Sequence, residues 1–301
     1  NEAPTISGTI ADVPRKVPGF SRVLVLVIDD GSTDETSKEA EAAGADRVVR
    51  FARNRGLSLA FQKGLETALD MGADGVVNFD GDNQYPGNRI PDLAAPVVRG
   101  EADMVLGERD FSRVPHFTPT KIFLQKFGTR VVSRLAGVPC GDATTGFRAF
   151  SRETALSLYV ASMFTYTLET IFFAGARKLS VESVTIVTNP KLRESRLFGS
   201  SLEYVLKSMV TILRTSIRYR AFAILAWLSL PLFLAGFLAV GRFMLYHFVW
   251  EPGGTGHVQS LVLAGVLLIV SFLLVAIGFL ADAVGTNRRL LEEQLTLMRK
   301  R

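Results

Sequence analysis

The 301-residue chain has a single cysteine, Cys140, so it can form no disulfide within itself and no multi-cysteine metal site. Histidine is nearly as scarce. His116, His247 and His257 show no paired ligand spacing, which leaves oxygen donors to hold any catalytic cation. There is no RNP-like aromatic motif and no zinc-finger spacing, so the net charge of +5 is not that of a nucleic-acid binder. Low-complexity tracts and internal repeats are also missing. Asn1 is preceded by no initiator methionine, signal peptide or opening strand, and the natural product is expected to start earlier.

Apolar residues, by contrast, are abundant and unevenly placed. They make up 48% of the chain, and the first 200 residues read as an ordinary globular mixture. Residues 221–240 and 261–281 then carry no charge, and each run is about the length needed to cross a bilayer core. Pro231 and Gly236 inside the first run are tolerable in a membrane helix. Basic residues flank the pair: Arg214, Arg218 and Arg220 before it, Arg288, Arg289, Arg299, Lys300 and Arg301 after it. The connection between the runs has only Arg242, at its start. By the positive-inside rule, both chain ends then face the cytoplasm. Residues 203–219 are amphipathic and predict a helix lying in the membrane interface; a surface helix packed on a soluble domain is the alternative.

Upstream, residues 23–29 (VLVLVID) form a β-branched apolar run typical of a strand buried on both faces. Shorter strands are expected at 47–51, 75–79, 103–106 and 181–187. Helices are expected between Gly31 and Ala43, through Leu57, Phe61, Leu65 and Leu69, near 91–98, and over 120–136 and 152–177. Strands alternating with helices predict an α/β domain over 1–200 with a mostly parallel, doubly wound sheet. An amphipathic segment at 201–220, two membrane helices near 221–241 and 260–281, and a basic C-terminal helix at 282–301 complete the expected order. Ligands of such sheets bind beyond the strands' carboxyl ends. Two strands end in acids, Asp29-Asp30 and Asp80-Gly81-Asp82, so both clusters should line one crevice.

In Asp80-Gly81-Asp82-Asn83-Gln84, a strand delivers the first carboxylate and glycine lets the backbone turn closely. The two carboxylates and an amide oxygen suit Mg2+ or Mn2+, which keeps open positions for phosphate oxygens. In Asp29-Asp30-Gly31-Ser32-Thr33-Asp34, a strand-end carboxylate can accept hydrogen bonds from a nucleobase or ribose; capping of the next helix is the plainer use.

These segments resemble family 2 inverting glycosyltransferases of the GT-A fold, in the branch that makes dolichol- or polyprenyl-phosphate sugars. The likeness runs from Asn1 to about Leu202. Asn1-Glu2 resembles the end of the family's first-strand motif, and Ile28-Asp29-Asp30 its nucleotide-binding strand end. Asp80, Asp82 and Gln84 match the metal and diphosphate motif. Gly107-Glu108-Arg109 resembles a segment whose arginine approaches donor phosphates, and Asp142-Ala143-Thr144-Thr145-Gly146-Phe147-Arg148 an acceptor motif. Arg196-x-x-Gly199-x-Ser201 resembles a closing loop, although Leu202 stands where that loop usually has lysine. The family's first, central strand has no counterpart among the residues here.

The resemblance implies a nucleoside-diphosphate sugar donor, GDP- or UDP-linked, bound by Glu2, Ile28, Asp30, Gly81 and Arg109. Asp80, Asp82 and Gln84 would hold the cation, and Arg148, Arg196 and Ser201 would meet the acceptor and diphosphate. Asp142 is the catalytic candidate, to accept a residual proton, orient the acceptor or support the metal site. At least two of Arg109, Arg148 and Arg196 are expected to face the site. A polyprenyl phosphate acceptor, a membrane location with the catalytic domain on the cytoplasmic side, and self-association accompany this reading. A processive polysaccharide synthase would show a Gln-x-x-Arg-Trp motif and more membrane helices; a non-catalytic nucleotide-sugar-binding module would not need the intact acidic set.

Overall fold

The computed structural model describes residues 1–111, 119–160, 165–190, 201–250 and 258–299. The chain divides into two compact units, Asn1–Ile212 with Glu292–Arg301, and Leu213–Leu291.

The first unit is mixed α/β. Its helices and strands alternate as α1 (Ala3–Ala11), β1 (Leu26–Asp29), α2 (Thr36–Ala42), β2 (Arg47–Arg50), α3 (Leu57–Asp70), β3 (Gly75–Asn78), α4 (Ile90–Val98) and β4 (Met104–Arg109). There follow α5 (Pro119–Ala136), β5 (Arg148–Ser151), α6 (Arg152–Ser157), α7 (Tyr166–Arg177) and β6 (Val181–Ile186). β1 pairs with β2 in parallel, Ile28 opposite Val49. A second sheet has the order β3-β5-β4-β6, with β4 and β6 parallel. β5 runs antiparallel to both its neighbours, Ala149 lying opposite Val77 on one side and Val105 on the other. This strand was not expected. It is four residues long and opens on an arginine, so no strand period announces it.

The core explains why these segments associate. Ile6 and Ile10 of α1, Ile90 and Leu93 of α4, and Val105, Phe147, Ala149 and Ile186 are all buried in one cluster. Each large side chain there contributes roughly 1.5–3 kcal/mol by leaving water. Phe61 and Leu65 supply the buried stripe of α3, as their spacing predicts, whereas Leu57 stays exposed.

The single helix expected over 152–177 is broken. α6 begins on Ser151, whose hydroxyl accepts from Thr154 N–H at 3.2 Å, and ends where Leu158 turns extended. Beyond it the Val160 N–H is taken by the Gln62 side chain of α3 at 3.1 Å, a bond incompatible with a continuing helix. α7 restarts on a Thr165 cap and stops at Lys178, which adopts the left-handed conformation. Near its end Arg177 pairs with Glu293 at 3.2 Å, so Glu292–Arg301 belongs with this unit.

β1 and β3 are not hydrogen-bonded to each other. Between their facing edges lies a cavity of about 840 Å³, walled by Val25, Val27, Val76 and Val77 and by apolar side chains of α1 and α3. Its body is apolar. Asn1, Glu2, Asp30, Asp80 and Asp82 also line it, near the carboxyl ends of the two strands.

The second unit holds most of α8 (Ser201–Leu245) and α9 (Val258–Arg299), both long and apolar enough to cross a membrane. α8 breaks at Arg220, whose backbone (φ −143°, ψ 42°) is not helical. Residues 221–245 then span about 37 Å at 1.5 Å per residue, more than a hydrocarbon core of about 30 Å. The two helices approach through small residues. The Ser271 hydroxyl donates to Ser229 O at 3.1 Å, Ala264 is fully buried, and a methyl at Gly236 would sit 3.0 Å from Leu268 Cγ. Trp227, Leu238, Phe272 and Phe279 are each about 70% exposed or more, the surface that a bilayer would cover.

Candidate functional site

The site is assembled where β1 and β3 end. Gly31 takes φ +73° directly after the acidic pair, and any side chain there would strike the Arg53–Asn54 backbone. Asp29 is almost fully buried and accepts from Ser32 N–H at 2.7 Å and from the Ser37 hydroxyl. Burial opposes its ionisation, yet these bonds and Arg50 hold its carboxyl below the ordinary range. Asp30 accepts from the backbone N–H groups of Arg55 and Gly56 at 2.7 and 2.9 Å. Both acids therefore have structural work, and Asp30 fixes the loop that opens α3. Glu2 caps α1 through its carbonyl, while its N–H donates to Thr36 Oγ1 at 2.7 Å. Glu2, Ile28, Asp30 and Gly81 line the same cavity as Asp80, Asp82 and Gln84, so the two acidic clusters share one cavity.

At the other strand end, burial and the charge of Asp82 push the Asp80 carboxyl up to about 6, against the pull of Arg109. Two carboxylates that resist joint ionisation fit a divalent cation, which relieves both penalties. Asp82 accepts from Gln84 N–H at 3.1 Å and from Gln84 Nε2 at 2.8 Å. Gln84, expected as an oxygen ligand, thus turns its NH2 toward Asp82 and aims that carboxylate.

Arg109 ends β4 and grips Asp142. Its Nε lies 2.6 Å from Asp142 Oδ2 and its Nη2 3.1 Å from Oδ1, with Thr144 Oγ1 at 2.7 Å from the same Nη2. Asp142 has no exposed surface. Burial alone would raise its pKa, but Arg109 and the Thr144 hydrogen bonds hold it below the ordinary carboxylate range. An ionised, fully hydrogen-bonded carboxylate is a weak base. The geometry has Asp142 orienting Arg109, which is none of the three roles the sequence left open.

Arg148 corrects the sequence reading. It is completely buried and donates to Thr145 O at 2.9 Å, Ala143 O at 3.0 Å, Thr167 O at 2.7 Å and the Thr170 hydroxyl. Its guanidinium is spent on carbonyls that shape the 142–147 loop and on α7, so it does not face phosphate. Arg196 lies outside the described residues, as does the side chain of Ser201. Of the three arginines expected at the site, only Arg109 is seen beside the carboxylates.

Three residues without a sequence signal complete the site. The Tyr85 hydroxyl accepts from Gly146 N–H at 3.0 Å, and burial together with Asp80 and Asp142 pushes its pKa up to about 12, despite Arg109. Asn78 Nδ2 donates to Gly146 O at 2.9 Å and to the Tyr166 hydroxyl at 2.8 Å. Tyr166 stacks on Phe61 at 4.0 Å between ring centroids. Gly146 is held so closely that an added Cβ would lie 3.0 and 3.1 Å from the two Asp80 carboxylate oxygens. The loop carrying Asp142 is thereby pressed against the end of β3.

Comparison with known proteins bears on the family and the fold. The family model for glycosyl transferase family 2 matches residues 1–156. Glycosyltransferase AglJ of Haloferax volcanii is 32% identical over 192 residues, 62% of this chain and 59% of that protein, so the match spans less than two thirds of its length. Polyprenol monophosphomannose synthase of Mycolicibacterium smegmatis is 29% identical over 193 residues, covering 60% of this chain and 72% of the relative. Glucosyl-3-phosphoglycerate synthase of Mycobacterium tuberculosis, in complex with Mn2+, UDP and glucosyl-3-phosphoglycerate, superposes with a TM-score of 0.53. That match is 22% identical, covers 72% of this chain and 75% of the other, and shows a shared GT-A-like fold. The matched model takes in the Asp29-Asp30 strand end, the Asp80–Gln84 turn, Arg109 and the Asp142–Arg148 loop, and the chain belongs to glycosyl transferase family 2.

Proposed function

We propose that the protein transfers a hexose, with inversion, from a GDP- or UDP-linked sugar to a polyprenyl phosphate such as dolichyl or undecaprenyl phosphate. The observation that carries this reading is the convergence of Asp80, Asp82 and the Arg109–Asp142 pair in a chain with two helices of membrane-crossing length. Relatives named for polyprenol-phosphate mannose and dolichyl-phosphate N-acetylglucosamine transfer support the acceptor class.

Asp80 and Asp82 would hold Mg2+ or Mn2+, with Gln84 aiming Asp82; such a cation neutralises charge on a departing diphosphate. Glu2, Ile28, Asp30 and Gly81, which line the cavity, would meet the nucleoside and donor phosphates. Arg109 approaches the donor phosphates from β4, and Asp142 and Thr144 fix its plane. The acceptor does not require a strong base, because a phosphate monoester has its second pKa near 6. The depressed pKa of Asp142 accords with that chemistry. Arg196 and Ser201 are assigned to the acceptor by resemblance.

An acceptor that stays in the bilayer needs a site held at its surface. α5 supports this by exposing Phe123, Leu124 and Phe127 among Lys121, Lys126 and Arg130. Residues 201–220 would serve as the interfacial helix and the two long apolar helices as the anchor. By the positive-inside rule the flanking arginines support a cytoplasmic catalytic unit, and paired spans would offer a surface for self-association.

A donor screen tests the reading: GDP-mannose, UDP-glucose and UDP-GlcNAc with short polyprenyl phosphates and either cation. Asp82→Asn should abolish transfer and leave the circular dichroism spectrum intact. Near-normal turnover by that variant removes the metal role.

A further inference from the structure

The loop that carries Asp80 and Asp82 is held from two sides by side chains that none of the motifs contains. On one side stands α1. The Thr5 and Thr9 hydroxyls both lie 3.1 Å from the carbonyl oxygen of Gly81, the peptide between the two carboxylates. Both threonines are buried, at 8% and 4% exposure. Each hydroxyl has one proton and further acceptors in reach: Glu2 Oε2 for Thr5, at 3.1 Å, and Thr5 O for Thr9, at 3.0 Å. Gly81 O is the acceptor that both approach. Packing enforces the arrangement, since a methyl at Gly81 would lie 3.3 Å from Ile6 Cδ1 of the same helix.

On the other side is the segment after β6. Asn189 Nδ2 donates to Asn83 O at 3.0 Å, and Asn189 N–H donates to Gln84 O at 2.9 Å. Asn83 itself sits at φ +56°, the left-handed region that asparagine tolerates better than most residues with a side chain. Three consecutive-region carbonyls, of Gly81, Asn83 and Gln84, are thus satisfied by groups from outside the loop. The backbone on both sides of Asp82 is thus held from outside the loop, and Gln84 aims the Asp82 carboxylate.

We propose that Thr5, Thr9 and Asn189 are positioning residues for the metal-holding loop, clamping its backbone so that Asp80 and Asp82 converge on one cation. This rests on the metal role proposed above. Outer groups of this kind typically govern metal affinity by about 10- to 100-fold.

The test is Mn2+ binding to the full-length protein in detergent, read by electron paramagnetic resonance without any sugar donor. Wild type and Asp82→Asn are measured first: if wild type binds no Mn2+, or Asp82→Asn binds as well, the metal reading fails and not merely the clamp. With wild-type binding in hand, Thr5→Val/Thr9→Val should weaken it about tenfold, and Asn189→Ala should add to the loss. Thr5→Ser/Thr9→Ser should restore affinity, because serine returns the hydroxyl. If the double valine variant does not fold, Thr9→Val alone is read, with a loss of at least threefold expected. Unchanged Mn2+ affinity in a folded valine variant, or serine variants as weak as valine ones, overturns the clamp while leaving the metal site standing.

Discussion

Cation binding should be tied to one proton on Asp80. Its carboxyl is pushed up to about 6 by burial and by Asp82. A cation binds the ionised form, which makes up about 0.9 of the protein at pH 7 and about 0.09 at pH 5. Apparent Mn2+ affinity should therefore fall about tenfold between those values. An ordinary carboxyl titrating at 3.8 would lose only about 6% over the same interval. The stability sign follows the same shift. A raised folded-state pKa gives stability that is complete below the unfolded value, 3.8, and is lost as pH rises through 6. The shift corresponds to about 3 kcal/mol. Asp80→Asn should consequently raise the melting temperature of metal-free protein above pH 6 while abolishing Mn2+ binding. Electron paramagnetic resonance titrations and thermal melts at pH 5, 6, 7 and 8 give both readings. Affinity that is flat from pH 5 to 7, or an asparagine variant that melts earlier at pH 8, would refute the electrostatics.

Gly146→Ala should lower turnover at least tenfold and weaken Mn2+ binding, because its methyl meets both Asp80 oxygens within 3.1 Å; normal Mn2+ affinity would show that the loop yields. Asp142→Asn breaks a buried ion pair with Arg109, so a loss of about 3–5 kcal/mol in denaturant unfolding is expected, together with a raised KM for the donor. Arg148→Met should cost a similar amount and leave the donor KM of the surviving protein unchanged, the opposite of a phosphate-binding arginine. Gly236→Leu should split the helix pair and lower yield from the membrane, leaving metal affinity unaltered.

What could be read from the sequence was whatever a short stretch determines. The strand-then-turn grammar of residues 75–84 shows two carboxylates at a strand end, and the charge-free runs after 220 give two helices of membrane-crossing length. Arg148 was misread because residue type reports affinity for phosphate and not direction. What turns it inward is a set of carbonyls on Ala143, Thr145 and Thr167, which only the folded loop and α7 bring together. Tyr85 and Tyr166 were missed for a related reason. Their partners at Gly146 lie 61 residues downstream of Tyr85 and 20 upstream of Tyr166, and a lone tyrosine between apolar neighbours looks like core. β5 escaped because its burial comes from strands on both sides.

The break at Arg220 gives α8 an articulation. An unbroken rod of 45 residues would carry any change in the slope of its apolar half straight into the residues before it. A bilayer that thickens or thins alters that slope. Where the helical ladder is already interrupted, a tilt of residues 221–245 is not carried through one continuous run of backbone hydrogen bonds.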